Sequence, residues 1–192
     1  MTQQRTANLH RTDINGRSVN LRYMNSDDAQ ALLAFVRSVP MHDLMFLPTD
    51  ITEIEGLNSW IDDILMGYAG VILAEGAEGI LGFSSVVRAS TAWNRHVAEI
   101  RVVVGEATRG LGLGRQLTVE AFRVAADLGV RRVIANMTLD QLAAIRVFRR
   151  LGFVPLAVLA DQVVDTDGTT YDLLVMHQDV RSFEETLSHL SD

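Results

Sequence analysis

The sequence predicts an α+β (mixed α/β) fold: a mostly antiparallel central sheet of about seven strands flanked by about four helices. Three observations carry this expectation. Alternating and helically spaced apolar stretches follow one another as strand, two helices, three strands, helix, strand, helix, two strands. Tight-turn signals join strand-like stretches directly and so make them antiparallel: Asn15-Gly16, Gly76-Ala77-Glu78-Gly79 and Asp165-Thr166-Asp167-Gly168. One helix is entered through the alternating glycines Gly110, Gly112 and Gly114, close behind a β-branched run.

Asn15-Gly16 separates residues 7–14 from 17–24, which read as a short N-terminal strand paired to the first strand, with residues 1–6 loose ahead of them. Ser26 can cap a helix from Asp27 to about Val39 that puts Leu32, Leu33 and Val36 on one face, and Pro40 stops it. Residues 40–50 form an apolar loop with Met41, Leu44, Met45, Phe46 and Leu47. A second helix runs from about Thr52 to Met66, with Leu57, Trp60, Ile61, Ile64 and Leu65 inward and Gly67 at its end. Residues 69–75, 80–88 and 96–104 read as a three-strand meander. After the glycines, Leu117, Ala121, Val124, Ala125 and Leu128 form one helical stripe ending at Gly129, and residues 132–137 form a strand. Asp140 caps the next helix, whose Ala144, Ile145, Phe148 and Leu151 face inward and which Gly152 closes. Residues 154–164 and 169–177 make a last hairpin, and residues 181–190 are expected to add a short terminal helix.

At 192 residues, with no linker, repeat or low-complexity stretch, the chain reads as one domain spanning 1–192 with its core at about 17–178. It has no cysteine, which excludes disulfides, thiolate metal sites and a cysteine nucleophile and suits a cytoplasmic location. The five histidines show no metal spacing, so no metal is expected. The polar N-terminus does not read as a signal peptide, and no apolar run is long enough to span a bilayer. With 24 acidic and 17 basic residues the formal charge is −7, which disfavours nucleic acid and suits cationic partners such as amines.

Residues 102–115 carry the chemistry. Glycines let the backbone turn and present its N–H groups, and the helix behind them adds unpaired N–H donors and the positive end of its dipole. A phosphate or pyrophosphate is the natural occupant. Arg115 stands where a dinucleotide fingerprint beginning at Gly110 would need glycine, and the Gly-Lys-Ser/Thr ending of a P-loop is missing. The spacing that fits is Arg109-x-x-Gly112-x-Gly114.

This motif resembles the R/Q-x-x-G-x-G/A signature of the GNAT superfamily, the acetyl-CoA-dependent N-acyltransferases, and the element order resembles its fold over roughly residues 17–178. Leu21-Arg22 with Asp27-Asp28-Ala29 is similar to the family's opening strand and helix, residues 99–104 to its acetyl-CoA strand, and Phe148-Arg-Arg-Leu-Gly-Phe153 to its closing motif. The resemblance implies acetyl-CoA as co-substrate, taken into a gap between two splayed strands. The backbone of Val102, Val103 and Val104 would pair with the pantetheine arm while their side chains serve the core. Arg109, Gly110, Leu111, Gly112, Leu113 and Gly114 would wrap the pyrophosphate, with Arg115 adding charge. Asn136 and Gln141 are further candidates on the cofactor arm, and Asp140 beside Gln141 reads first as a helix cap.

The resemblance further implies acetyl transfer to a primary amine, of a small molecule or a peptide, by direct attack in a ternary complex. Glu99 is either the catalytic base that takes the amine's proton or an exposed strand glutamate paired with Arg101 or Arg88. Phe148 replaces the family's usual tyrosine acid and is expected to pack against pantetheine or the core. That leaves water, the amine's own proton or one of Tyr171, Tyr68 and Tyr23 to protonate the thiolate. His42-Asp43 in the apolar loop, Trp60 and the Trp93-Asn94 turn fall where the family shapes its acceptor site. The other reading is an acyl-CoA-binding sensor or regulatory module, which Phe148 favours. A homodimer is compatible with the resemblance; membrane and nucleic acid are not expected partners.

Overall fold

The computed structural model describes residues 8–47, 50–89 and 91–183. Within them an eight-stranded sheet runs in the order β1-β2-β3-β4-β5-β6-β8-β7. Its strands are β1 (Asn8–Ile14), β2 (Arg17–Tyr23), β3 (Ala69–Gly76), β4 (Gly79–Arg88), β5 (Val97–Val104), β6 (Arg132–Thr138), β7 (Val154–Val164) and β8 (Thr170–Asp179). All neighbouring strands pair antiparallel except β5 and β6. The eighth strand is β1, which Asn15 and Gly16, both at positive φ, fold back onto β2.

The helices are α1 (Ala29–Val36), α2 (Met41–Leu44), α3 (Ile54–Leu65), α4 (Leu113–Asp127) and α5 (Leu142–Arg150). Two cores form on the two sides of the sheet. One packs Leu117, Ala121 and Val124 of α4 with Ile145 and Phe148 of α5 on Ile72, Ile100, Val133 and Ala135. The other packs Leu32 and Val36 of α1 with Leu57 and Trp60 of α3 on Val71, Leu73, Phe83 and Val103. Among the described residues no helix is long and apolar enough to cross a membrane.

Three sequence expectations are corrected. The helical stretch opens as a 3-10 turn at residues 26–28 capped by Asn25, not Ser26: Asn25 accepts the Asp27 N–H, and α1 follows the turn without a side-chain cap of its own. The stretch read as loop 40–50 contains α2, anchored by buried Leu44 in the second core. Asp140 does not cap α5; its carboxylate lies 3.1 Å from His42, an ion pair that outcompetes the local bond. The N-terminal residues expected to be loose lie outside the described residues, as does most of the terminal stretch 181–190.

β2 is tied to α1 through charge. The Arg22 guanidinium donates twice to Asp28 at 2.7 Å and once to Glu75 at 2.9 Å. Asp28 in turn accepts the Asn25 N–H at 2.9 Å and completes a capping box. Burial alone would raise the Asp28 pKa, but Arg22 outweighs it and holds the carboxyl below its ordinary value. Replacing Asp28 by alanine leaves this mostly buried guanidinium short of its main partner and removes the cap. The expected loss is about 2–4 kcal/mol by urea unfolding; a loss under about 0.5 kcal/mol, the size of a surface substitution, would show the pair to be ornamental.

Candidate active site

The site begins where β5 and β6 stop pairing. Their parallel register covers only Val97, Ala98 and Glu99 against Arg132, Val133 and Ile134. Beyond that, β5 stays with β4 and β6 with β8, so a gap opens between two strand edges. The Gly105 N–H bonds to Leu81 on the β4 side. Strand alternation therefore sends the backbone groups of Val102 and Val104 to the open edge. Their side chains pack on the α4 core, and Val103 is buried in the other.

At the C-terminal end of β5 the chain makes a short 3-10 turn and enters the glycine loop. Gly110 (φ 75°) and Gly112 (φ 90°) adopt left-handed conformations, and a Cβ built on either would meet nothing within 4 Å. Gly112 is the N-cap of α4, and no side chain caps that helix, so its first N–H groups stay available to an anion. Buried Leu113 and half-buried Leu111 anchor the loop, while Gly114 lies against Val104 and Arg115 is exposed. Arg109 extends the other way and donates to Asp43 of α2 at 2.6 Å. The positive-φ glycines, open space and uncapped helix suit the pyrophosphate of acetyl-CoA.

Glu99 and Arg101 stand on the α1–α3 side of the sheet, with Asn136 of β6 across from them. Arg101 spans the gap. Its Nε donates to Phe46 O at 2.7 Å, its Nη1 to Asn136 O and its Nη2 to Glu99, and its Cζ sits 4.6 Å from the centre of the Phe46 ring. Burial pushes the Arg101 pKa down to about 10 against the pull of Glu99, and the group stays cationic at neutral pH. Asn136 Nδ2 donates to Glu99 at 3.3 Å. Glu99 is thus both paired with Arg101 and turned into a cavity of about 290 Å³, whose wall also includes Phe46, Asn94 and Ile134.

A second polar cluster forms around His42 of α2. His42 Nδ1 lies 2.9 Å from Asp165, its Nε2 lies 3.1 Å from Asp140, and its ring meets Tyr171 edge-on at 5.1 Å. Thr138 Oγ1 lies 3.5 Å from His42, and the Thr138 N–H is held by the Gln141 side-chain oxygen. α2 therefore straps the mouth of the gap, from Arg109 on one side to the β7–β8 turn on the other.

The structure gathers Glu99, Asn136 and the glycine loop around one gap. Phe148 is 6% exposed and edge-on to Phe153 at 4.8 Å, in the same core against which Val102 and Val104 pack. Trp60 is fully buried against Phe83, and Trp93 is exposed. Tyr68 lies by Arg88 and Tyr23 against the α4 core, which leaves Tyr171 as the phenol at the strap. The sequence offered Arg101 only as a partner for Glu99; its bonds across the gap to Phe46 and Asn136 were not read from it. Their signal was a second charge two residues after Glu99, hence on the same face of an otherwise apolar strand. Among the described residues no cluster of three or more acidic or histidine side chains could hold a metal ion.

Residues 46–153 match the family model described as "Acetyltransferase (GNAT) family". The chain is 30% identical over 89 residues to "Putative phosphinothricin acetyltransferase YwnH" of Bacillus subtilis (strain 168), a match covering 46% of this chain and 53% of that protein. It is 36% identical over 88 residues to a mycothiol acetyltransferase of Paenarthrobacter aurescens (strain TC1), covering 44% of this chain and 27% of that one. The chain thus spans about half, or less, of these curated relatives. In structure it is similar to yncA of Salmonella typhimurium, solved with its cofactor acetyl-CoA, with a TM-score of 0.72, 22% identity and coverage of 84% of this chain and 94% of that one.

The His42 cluster predicts a pH effect. Burial opposes the charged imidazole, but Asp165 and Asp140 outweigh it and raise its pKa. A raised folded pKa stabilises fully below the unfolded value of ~6.5, and that contribution is lost as pH rises through the folded pKa. Thermal melts should put the wild type about 2–4 °C above His42→Gln below pH 6, with the difference shrinking toward pH 8–9. Parallel melting curves across this range would exclude a charged clasp.

Proposed function

The chain belongs to the GNAT acetyltransferase family, and from that premise we propose that it moves an acetyl group from acetyl-CoA to a primary amine by direct attack in a ternary complex. The observation that carries this reading is the gap between β5 and β6, with an anion cradle at its mouth and a carboxylate beside it. Acetyl-CoA supplies an activated acyl group as a thioester. Gly110, Leu111, Gly112, Leu113 and Gly114 would hold its pyrophosphate through backbone N–H groups, Arg109 and Arg115 would add charge, and the edge formed by Val102 and Val104 would pair with the pantetheine arm.

Glu99 takes the proton from the incoming amine, directly or through a water, because a protonated nitrogen has no lone pair to attack with. Asn136 and Arg101 fix the carboxylate's direction. A backbone N–H at Val102 or Val104 polarises the thioester carbonyl. The C–S bond then breaks and CoA leaves as a thiolate that takes its proton from water or from the amine; Phe148 cannot give one, and its burial supports a packing role. The β7 edge strand exposes Val154, Leu156, Val158 and Val164, which supports assembly as a homodimer. A cytoplasmic setting belongs to the same reading and rests on the cysteine-free composition.

Calorimetric titration with acetyl-CoA should give saturable binding, weakened at least about tenfold by Gly112→Ala, because a side chain at φ 90° is strained and moves the cradle. Equal affinity in wild type and variant would remove the loop from the proposal. In a thiol-release assay across an amine panel, Glu99→Gln should lose about 10²-fold or more in kcat at neutral pH while acetyl-CoA affinity stays unchanged. Full activity in that variant would eliminate Glu99 as the base. Binding without turnover on any amine would favour the sensor reading that Phe148 suggests.

A further inference from the structure

The charge around the candidate acceptor cavity runs against the charge of the whole chain. The formal charge is −7, yet Glu99 is the single acid among the described residues lining this cavity, against Arg88 and Arg101. Its volume, about 290 Å³, sits at the small end of ligand pockets and suits a small molecule better than a lysine on a protein surface. Glu99 and Arg101 reach it as a pair in direct contact, and the Arg101 side chain is only 10% exposed.

We infer that the cavity takes a zwitterionic acceptor of the α-amino acid class, its amino group at Glu99 and its acidic group at Arg101. The inference rests on the acetyl-transfer reading above and names the substrate class for it. Three physical points carry it. A guanidinium has five N–H donors, and among the described residues Arg101 directs three to Phe46 O, Asn136 O and Glu99, which leaves two for a carboxylate or similar anion. A simple amine or polyamine would bring positive charge against a largely buried guanidinium, where repulsion is least screened. In an α-amino acid the two charged groups flank one carbon, which matches two protein charges already touching. Phe46, Val87 and Ile134 then offer an apolar wall to the acceptor's side chain.

Arg101 on this view sets specificity as well as holding Glu99. The two roles separate in kinetics. Losing the anion contact raises KM for the zwitterion, whereas misplacing Glu99 lowers kcat for every acceptor.

The test compares α-amino acids with their α-amides and their decarboxylated amines, with spermidine as a polycation, in the thiol-release assay with acetyl-CoA saturating. The wild type should favour at least one α-amino acid by about tenfold or more in kcat/KM over its own amide and amine. Arg101→Gln should raise KM for that amino acid about tenfold and bring the amino acid and the amine close together, with Arg101→Lys intermediate. An amine or spermidine preferred over every amino acid overturns the inference, as does an equal loss on all acceptors in Arg101→Gln. Should that variant fail to fold, the wild-type comparison alone decides. If nothing turns over, calorimetric titration of the amino acids onto the acetyl-CoA-loaded protein replaces the rate, and no binding there counts against the inference. Titration with acetyl-CoA alone reads the cofactor proposal separately: its failure sinks both readings, while spermidine turnover sinks only the zwitterion.

Discussion

The site depends on one constraint: two parallel strands that pair for three residues and then part. Buried backbone N–H and C=O groups need partners, and a parted strand edge inside a protein has lost them. Here part of the deficit is met by a side chain. Arg101 reaches from β5 to the Asn136 carbonyl on β6 and to Phe46 on the strap, so one guanidinium joins both walls and the cover of the gap. On the remainder of the β5 edge the Val104 carbonyl accepts a long bond of 3.5 Å from Arg109 Nε, and an extended ligand would add itself along Val102 and Val104 much as a strand does.

From that parting the other features acquire their places. β5 must end where the chain can turn under an incoming phosphate, and left-handed glycines at 110 and 112 allow it. α4 begins at once, so its uncapped end faces the mouth of the gap. The sheet separates labour between its faces. Side chains toward α4 and α5 are mostly apolar and build the main core; those on the opposite face, past the cover of α1 and α3, include Glu99, Arg101, Asn136 and Thr138. A short amphipathic segment covers them. Leu44 fixes it to the second core, and His42 and Asp43 pin it to both sides of the mouth.

The contrast between global and local charge has a general reading. Net charge governs solubility and long-range attraction, whereas recognition follows the few groups whose fields are least screened. An acidic chain suggests cationic partners, but a half-buried carboxylate locked to a buried guanidinium answers to a ligand carrying both signs.

Much of this was legible in the sequence because it is local. Alternation, helical spacing and turn residues specify strands, helices and hairpins over a few residues, and Arg109-x-x-Gly112-x-Gly114 encodes a loop conformation within one turn of a helix. Glu99 and Asn136 could be named as candidates because the family resemblance assigns their strand positions to the cleft. What only the tertiary structure decided joins residues far apart in the chain: Arg101 with Phe46 and Asn136, Arg109 with Asp43, and His42 with Asp140 and Asp165. It also decided that Asp140 would leave its helix for His42 and that Phe148 would turn to the core. The physical reason is the same in each case. A sequence pattern fixes conformation and face, while the partner of a charge depends on which distant strand or turn the folded sheet brings within about 3 Å of it.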